Sequence, residues 1–195
     1  MKLSFIQVTG YKKIDALSRI LESIEFDAVL IFVRTKNATI DLAEKLEARG
    51  YACEALNGDI AQKMRERTIE RLKSKKIDIV IATDVAARGL HIPAVSHVIN
   101  YDLPQDAEDY VHRIGRTARA GAAGDAISFG CETYAMSLPD IEDYIGHKIP
   151  VANYDVSLLP ELVKPKYSAR DRGRKGSNRG GKKGPSRRKR PPRKS

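Results

Sequence analysis

The sequence predicts an α/β domain, an open parallel sheet with helices on both faces, followed by a basic, disordered tail. Three observations carry this. Short apolar runs alternate with segments of helical periodicity along residues 1–150. The run AVLIFV (28–33) is continuous, as in a strand covered on both faces. The charge is also divided: residues 164–195 hold 15 Lys and Arg against one acid, Asp171, while the other 163 residues hold 20 basic and 24 acidic side chains.

The elements follow in order. AVLIFV is the first strand, and residues 37–49 read as a helix, because Ala38, Leu42 and Leu46 recur every four positions and Gly50 supplies a stop. YACEAL (51–56) is the second strand. Asp59 is a candidate N-cap for a helix to about Ser74, with Met64, Thr68 and Leu72 on one side. DIVIA (78–82), VSHVINY (95–101) and DAISFGC (125–131) are the third, fourth and fifth strands, with helices at about 106–118 and 133–145. Strands separated by helical crossovers give a parallel sheet. Residues 151–163 show no clear element. From Lys164 onward Gly, Ser, Pro, Lys and Arg dominate, and such a segment buries too little apolar area to offset its ordering entropy.

Composition narrows the function classes. The 195 residues carry a net charge of +10. The six-residue run 28–33 is far short of the roughly 18–20 apolar residues of a membrane span, so no membrane association is expected. The start, MKLSFIQVTGYKK, has no apolar h-region. Cys53 and Cys131 form no CxxC pair and read as buried, reduced thiols of a cytoplasmic protein, with no metal site.

In an open parallel sheet, ligands bind at the carboxyl ends of the strands. Arg34-Thr35-Lys36 follows the first strand, Asn57-Gly58-Asp59 the second, and Thr83-Asp84 then Ala86-Ala87-Arg88-Gly89 the third. Hydroxyls, glycines and helix N-termini suit phosphate oxygens, although each alone is also an ordinary helix cap. The densest signal is HRIGRTARAG, His112 to Gly121. Helical spacing places His112 and Arg116 one turn apart and Arg113, Arg116 and Arg119 at successive i+3 steps. A solvated basic face is the alternative, but no acid lies between Asp109 and Asp125. Arginine is suited to clamping phosphoryl oxygens.

HRIGRTARAG, ATDVAARGL (82–90), LIFVRTK (30–36), the Gly58-Asp59…Gln62…Arg65 cluster and VINYDLP (98–104) together resemble the C-terminal RecA-like domain of DEAD-box RNA helicases, in the order and spacing of its motifs. The resemblance covers about residues 5–150. Residues 91–151 are most similar to the degradosome-associated bacterial type and residues 12–56 to the cold-shock type. The resemblance implies a helicase C-terminal domain over 1–150, an extension over 151–163 and an RNA-binding tail over 164–195. It implies candidate catalytic residues Arg116 and Arg119, which match arginines reaching the ATP γ-phosphate, together with His112. It places Arg113, Asp84, Arg88, Gly89 and His91 at the ATP and interdomain surface, and Arg34, Thr35, Gly58, Gln62, Arg65 and Thr83 beside the RNA backbone. Contacts of that kind bind RNA without reading bases.

The sequence departs from the family at two positions within its motifs. His91 stands where many members have Asp, and Ala118 replaces a usual Gly, an exchange that favours a helix by about 1 kcal/mol. No GxxxxGK[ST] and no Asp-Glu-Ala-Asp occurs in the 195 residues, so neither the phosphate cradle nor the Mg²⁺ carboxylates are present. ATP and Mg²⁺ are therefore expected only in company with an N-terminal RecA-like lobe. Three readings follow: the C-terminal lobe of an ATP-dependent RNA helicase, inactive alone; a free-standing RNA-binding module; or a docking lobe for the degradosome endoribonuclease scaffold.

Overall fold

The structure, a computed structural model, describes residues 1–118 and 124–152. The chain divides into two units, Met1–Pro165 and Lys166–Ser195. The second unit lies outside the described residues, and with it most of the tail expected to be disordered; so does the extension beyond residue 152.

In chain order the elements are β1 (Lys2–Gln7), α1 (Lys13–Ser23), β2 (Val29–Phe32), α2 (Lys36–Glu47), β3 (Cys53–Leu56), α3 (Gln62–Lys73), β4 (Ile79–Ala82), α4 (Asp84–Ala87), β5 (His97–Asn100), α5 (Ala107–Ile114), β6 (Asp125–Gly130) and α6 (Leu138–Ile145). The strands form one sheet in the order β1-β6-β5-β2-β4-β3, and every pairing is parallel. All residues of β2, β4 and β5 are buried, which is why VLIF of β2 and IVIA of β4 are apolar runs without alternation, whereas β5, HVIN, buries the polar His97 and Asn100 at its two ends. Successive side chains point to opposite faces. Val29, Ile31, Ile79, Ile81 and Ile99 pack with Leu17 and Ile20 of α1 and Leu42 and Leu46 of α2. Leu30, Phe32, Val80, Ala82 and Val98 pack with Ile69 and Leu72 of α3 and Ala86 and Ala87 of α4. Ala126 is in register with Val98, so its cluster with Tyr110 and Ile114 of α5 and Ile141 of α6 lies on that second face as well.

The structure departs from the sequence-based elements at several points. There are six strands among the described residues where five are expected. Strand β1 is the addition, an edge strand with only Phe5 and Ile6 buried, and its pattern is too short to stand out. Helix α1 buries Lys13, Leu17, Ser18, Ile20 and Leu21; it is not among the sequence-based elements, although Leu17, Ile20, Leu21 and Ile24 recur at the helical spacing i, i+3, i+4, i+7. Asp59 is no N-cap: α3 begins at Gln62 after Ala61, and Asp59 pairs with Lys36 at 2.7 Å. Thr68, Ile69 and Leu72 form the buried stripe of α3, while Met64 is 49% exposed. Helix α6 starts at Leu138, after a 3₁₀ turn over Ala135–Ser137. The extension also begins with structure. Val151 bridges Phe5 in parallel, through Phe5 N–H to Pro150 O at 2.8 Å and Ala152 N–H to Phe5 O at 2.7 Å.

The largest correction concerns HRIGRTARAG. Helix α5 ends at Ile114, capped by Gly115, and the chain leaves in tight i+3 turns, Arg116 N–H to Arg113 O and Thr117 N–H to Ile114 O, both at 3.1 Å. Arg113 and Arg116 therefore do not share a helical stripe. Ala118 lies outside the helix with φ +53°, so helix propensity does not bear on it, and its Cβ is a cost in this left-handed conformation. Across from it, a Cβ on Gly124 would lie 2.1 Å from Thr117 Oγ1 and 2.6 Å from Ala118 N; only glycine lets these segments approach.

Candidate functional site

At the carboxyl end of the sheet, Arg113 is 1% exposed, the largest fully buried side chain of the described residues. It reaches from α5 across the ends of three neighbouring strands. Its Nε and Nη2 donate to Asp84 Oδ1 at 2.6 Å and Oδ2 at 2.7 Å, just past β4. Its Nη1 donates to Asn100 Oδ1 at 3.2 Å and to Asp102 O at 2.7 Å, at the end of β5. Beneath it lies Phe32, the last residue of β2, with the guanidinium carbon 4.9 Å from the ring centroid. A planar fork with fixed donors is the side chain that satisfies such a set. The network continues inward: Asn100 Nδ2 donates to Ser128 Oγ at 3.1 Å, and Ser128 Oγ to Tyr110 Oη at 3.4 Å. Burial raises the Tyr110 phenol above its ordinary value, against the lowering effect of Ser128, so Tyr110 is a neutral member of this network.

Above this buried pair is a shallow cavity lined by Phe32, Asp84, Ala87, Arg88, Asp109, His112, Arg113 and Arg116. Five of the candidate residues thus share one wall. Arg116 is half-buried at this cavity. His112 is exposed, 3.9 Å from Glu108 one turn earlier. Arg88 pairs with Asp109 of α5, tying the residue after α4 to α5. Gly89 follows with φ +72°, a conformation glycine adopts without strain. His91 is exposed and does not line this cavity. Arg119 lies outside the described residues. Among the described residues no three His, Cys, Asp or Glu side chains lie together as metal ligands.

The candidate RNA-facing residues lie along the ends of β2, β4 and β3, which are consecutive in the sheet. Thr35 Oγ1 caps α2, accepting from Ala38 N at 3.2 Å, and Thr83 Oγ1 caps α4, accepting from Ala86 N at 3.4 Å. Thr35 is exposed, whereas Thr83 is 8% exposed. Gly58 is exposed, with open space where a Cβ would stand. Arg65 Nη1 donates to Gln62 Oε1 at 3.0 Å, and its Nη2 to Ala86 O at 2.6 Å, so Gln62 and Arg65 brace the α3 start against α4. Arg34 is half-buried: Nε donates to Leu103 O at 2.6 Å, Nη2 to Ser137 Oγ at 3.3 Å, and its carbon lies 4.2 Å from the Tyr134 ring centroid.

Sequence reasoning misses Lys13, Asn100, Asp102 and Tyr134. Lys13 Nζ lies 2.5 Å from Asp102 Oδ1 in a buried pair, 4.3 Å from the Tyr101 ring centroid and 5.1 Å from that of Tyr134. No element is expected from the sequence at this position, and a lysine is ordinarily an exposed residue. Cys53, whose thiol burial pushes up to about 12, and Cys131 are both buried and free, and neither enters the site.

Comparison with known proteins adds to this geometry. Residues 12–121 match the helicase conserved C-terminal domain. The chain is 52% identical over 171 residues to the ATP-dependent RNA helicase RhlB of Cronobacter sakazakii, covering 87% of this chain and 41% of that protein. It is 51% identical over 171 residues to RhlB of Klebsiella pneumoniae, with the same coverage. The chain thus spans 41% of the length of these curated relatives. Among solved structures it resembles the Escherichia coli DEAD-box protein SrmB bound to the ribonuclease regulator RraA, with TM-score 0.76 and 35% identity over 86% of this chain and 98% of that one. It also resembles Saccharomyces cerevisiae Dbp5 bound to RNA and ADP·BeF₃, with TM-score 0.72 and 34% identity over 78% of this chain and 41% of that one.

Proposed function

The chain belongs to the helicase conserved C-terminal domain family, as the RecA-like C-terminal lobe of an RhlB-like DEAD-box RNA helicase, and from that premise we propose that it completes an ATP site and an RNA groove shared with an N-terminal lobe. Arg116, with Arg119, supplies positive charge to the γ-phosphoryl group as it transfers, and His112, Arg113, Asp84, Arg88, Gly89 and His91 form the surface that meets the other lobe. Such arginines act on charge that develops in the transition state. Arg34, Thr35, Gly58, Gln62, Arg65 and Thr83 hold the RNA sugar-phosphate backbone, and the basic residues of 164–195 hold RNA by charge. ATP and Mg²⁺ belong to the joined protein: the phosphate cradle and metal carboxylates have no counterpart in these 195 residues.

The observation that carries this reading is the Arg113–Asp84 pair. It is doubly hydrogen-bonded and locked under the cavity that Arg116, His112 and Arg88 line. Preorganisation of this kind costs nothing at the moment of reaction; a module that bound RNA through charge alone would not require it. The test joins this chain behind the N-terminal lobe of the Cronobacter relative and measures ATP turnover with and without RNA. RNA-stimulated turnover is expected. A folded, RNA-binding joined protein without turnover overturns the reading in favour of a binding or degradosome-docking module.

A further inference from the structure

We propose that Asp102 is a positioning residue that couples the RNA-facing Arg34 to the buried Arg113–Asp84 pair, so that RNA engagement at one end of the site is felt at the other; this rests on the reading of Arg34 as an RNA contact. Asp102 lies two residues past the end of β5, where its own N–H donates to Phe32 O at 3.1 Å. Its carboxylate serves two donors on separate oxygens: Oδ1 takes Lys13 Nζ at 2.5 Å and Oδ2 takes the Arg34 backbone N–H at 3.1 Å. Its backbone carbonyl takes Arg113 Nη1 at 2.7 Å, and the next carbonyl, Leu103 O, takes Arg34 Nε at 2.6 Å. The two arginines therefore rest on consecutive carbonyls of one short segment.

That segment is held stiffly. Asp102 is 6% exposed and Leu103 fully buried, and close packing around them restrains the two backbone dihedrals that separate their carbonyls. Lys13, 4% exposed, anchors the carboxylate from α1. An RNA phosphate drawing the Arg34 guanidinium off Leu103 O changes the load on this segment, and the Asp102 carbonyl passes the change to Arg113. The carboxylate is chemically specific here. An amide has a single acceptor oxygen and would turn its NH₂ toward either the ammonium or the N–H, leaving one buried donor facing another.

The experiment titrates the full 195-residue chain with a ten-nucleotide oligouridylate and follows the Arg34 and Arg113 Nε–H resonances by ¹⁵N NMR. In the unaltered chain both should move, although Arg113 is too buried to touch RNA. In Asp102→Asn and in Lys13→Gln, Arg34 should still respond while the Arg113 shift shrinks at least threefold, a result that simple loss of stability does not produce. A response of Arg34 alone in the unaltered chain overturns the coupling and leaves the functional reading intact. No response at Arg34 overturns both. Should Asp102→Asn fail to fold, Lys13→Gln decides, and an Arg113 shift undiminished in a folded variant refutes the proposal.

Discussion

Replacing Arg113 with Met tests the structural centre of the site. Met retains much of the apolar volume but removes all four hydrogen bonds that the guanidinium makes to Asp84, Asn100 and Asp102. Removing one partner of a fully buried pair costs about 3–5 kcal/mol. Here one side is partly wet: the Asp84 side chain is 25% exposed, and water reaching it reduces the penalty to about 2–4 kcal/mol. With a urea slope of about 2 kcal/mol per M, the middle of the usual range, the unfolding midpoint, followed by circular dichroism, should fall by about 1–2 M. Asp84→Asn should cost less, about 1–2 kcal/mol, since its amide oxygen still accepts one bond. The double substitution should cost less than the two singles together, because the second change removes the charge stranded by the first. A midpoint lowered by less than about 0.3 M in Arg113→Met, or strictly additive effects, would refute the assignment of this pair as the site's keystone.

Ala118→Gly should stabilise the protein by about 1 kcal/mol, read as a raised urea midpoint, because φ +53° penalises the Cβ; a lowered midpoint contradicts the left-handed turn. The His97 imidazole has its pKa lowered by burial, partly opposed by Asp125. Its contribution to stability is therefore complete above the ordinary value of about 6.5 and is lost as pH falls from there through the lowered value; His97→Asn should flatten the fall in Tm over that window, and an unchanged slope would exclude His97 as its source. Deleting residues 164–195 should remove most of the salt dependence of RNA binding, in which each neutralised phosphate contributes roughly 0.7 to the logarithmic slope on single strands; an unchanged slope would place the phosphate contacts in the domain.

How far the site is legible in sequence depends on the kind of residue. The central strands announce themselves, because burial on both faces demands the unbroken runs VLIF and IVIA. The polar groups that follow them, Arg34-Thr35 and Thr83-Asp84, are legible for the same reason: strand ends are fixed once strands are. Strand β1 is not, since an edge strand with two buried residues carries little apolar signal. The end of α5 is also hidden. HRIGRTARA keeps helical spacing through Thr117, and that spacing masks the local stop at Gly115, which caps the helix. That stop separates the fates of two arginines three residues apart: Arg113 is sealed under the site, and Arg116 reaches its cavity. Lys13 and Asp102, 89 residues apart, illustrate the remaining limit, for nothing local to either position indicates that they neutralise each other in the interior.

The most direct measurement is steady-state ATP hydrolysis, at saturating RNA, by this chain joined behind the N-terminal lobe of the Cronobacter relative, with Arg116 intact and with Arg116→Ala. An arginine acting on the transferring phosphoryl group contributes about 10³–10⁵ in kcat. The substituted protein should therefore lose at least about 10³-fold in kcat while its RNA affinity and its KM for ATP stay within a few-fold. A kcat within tenfold of the intact protein would contradict the placement of Arg116 at the phosphoryl group, and with it the central claim about what this lobe supplies.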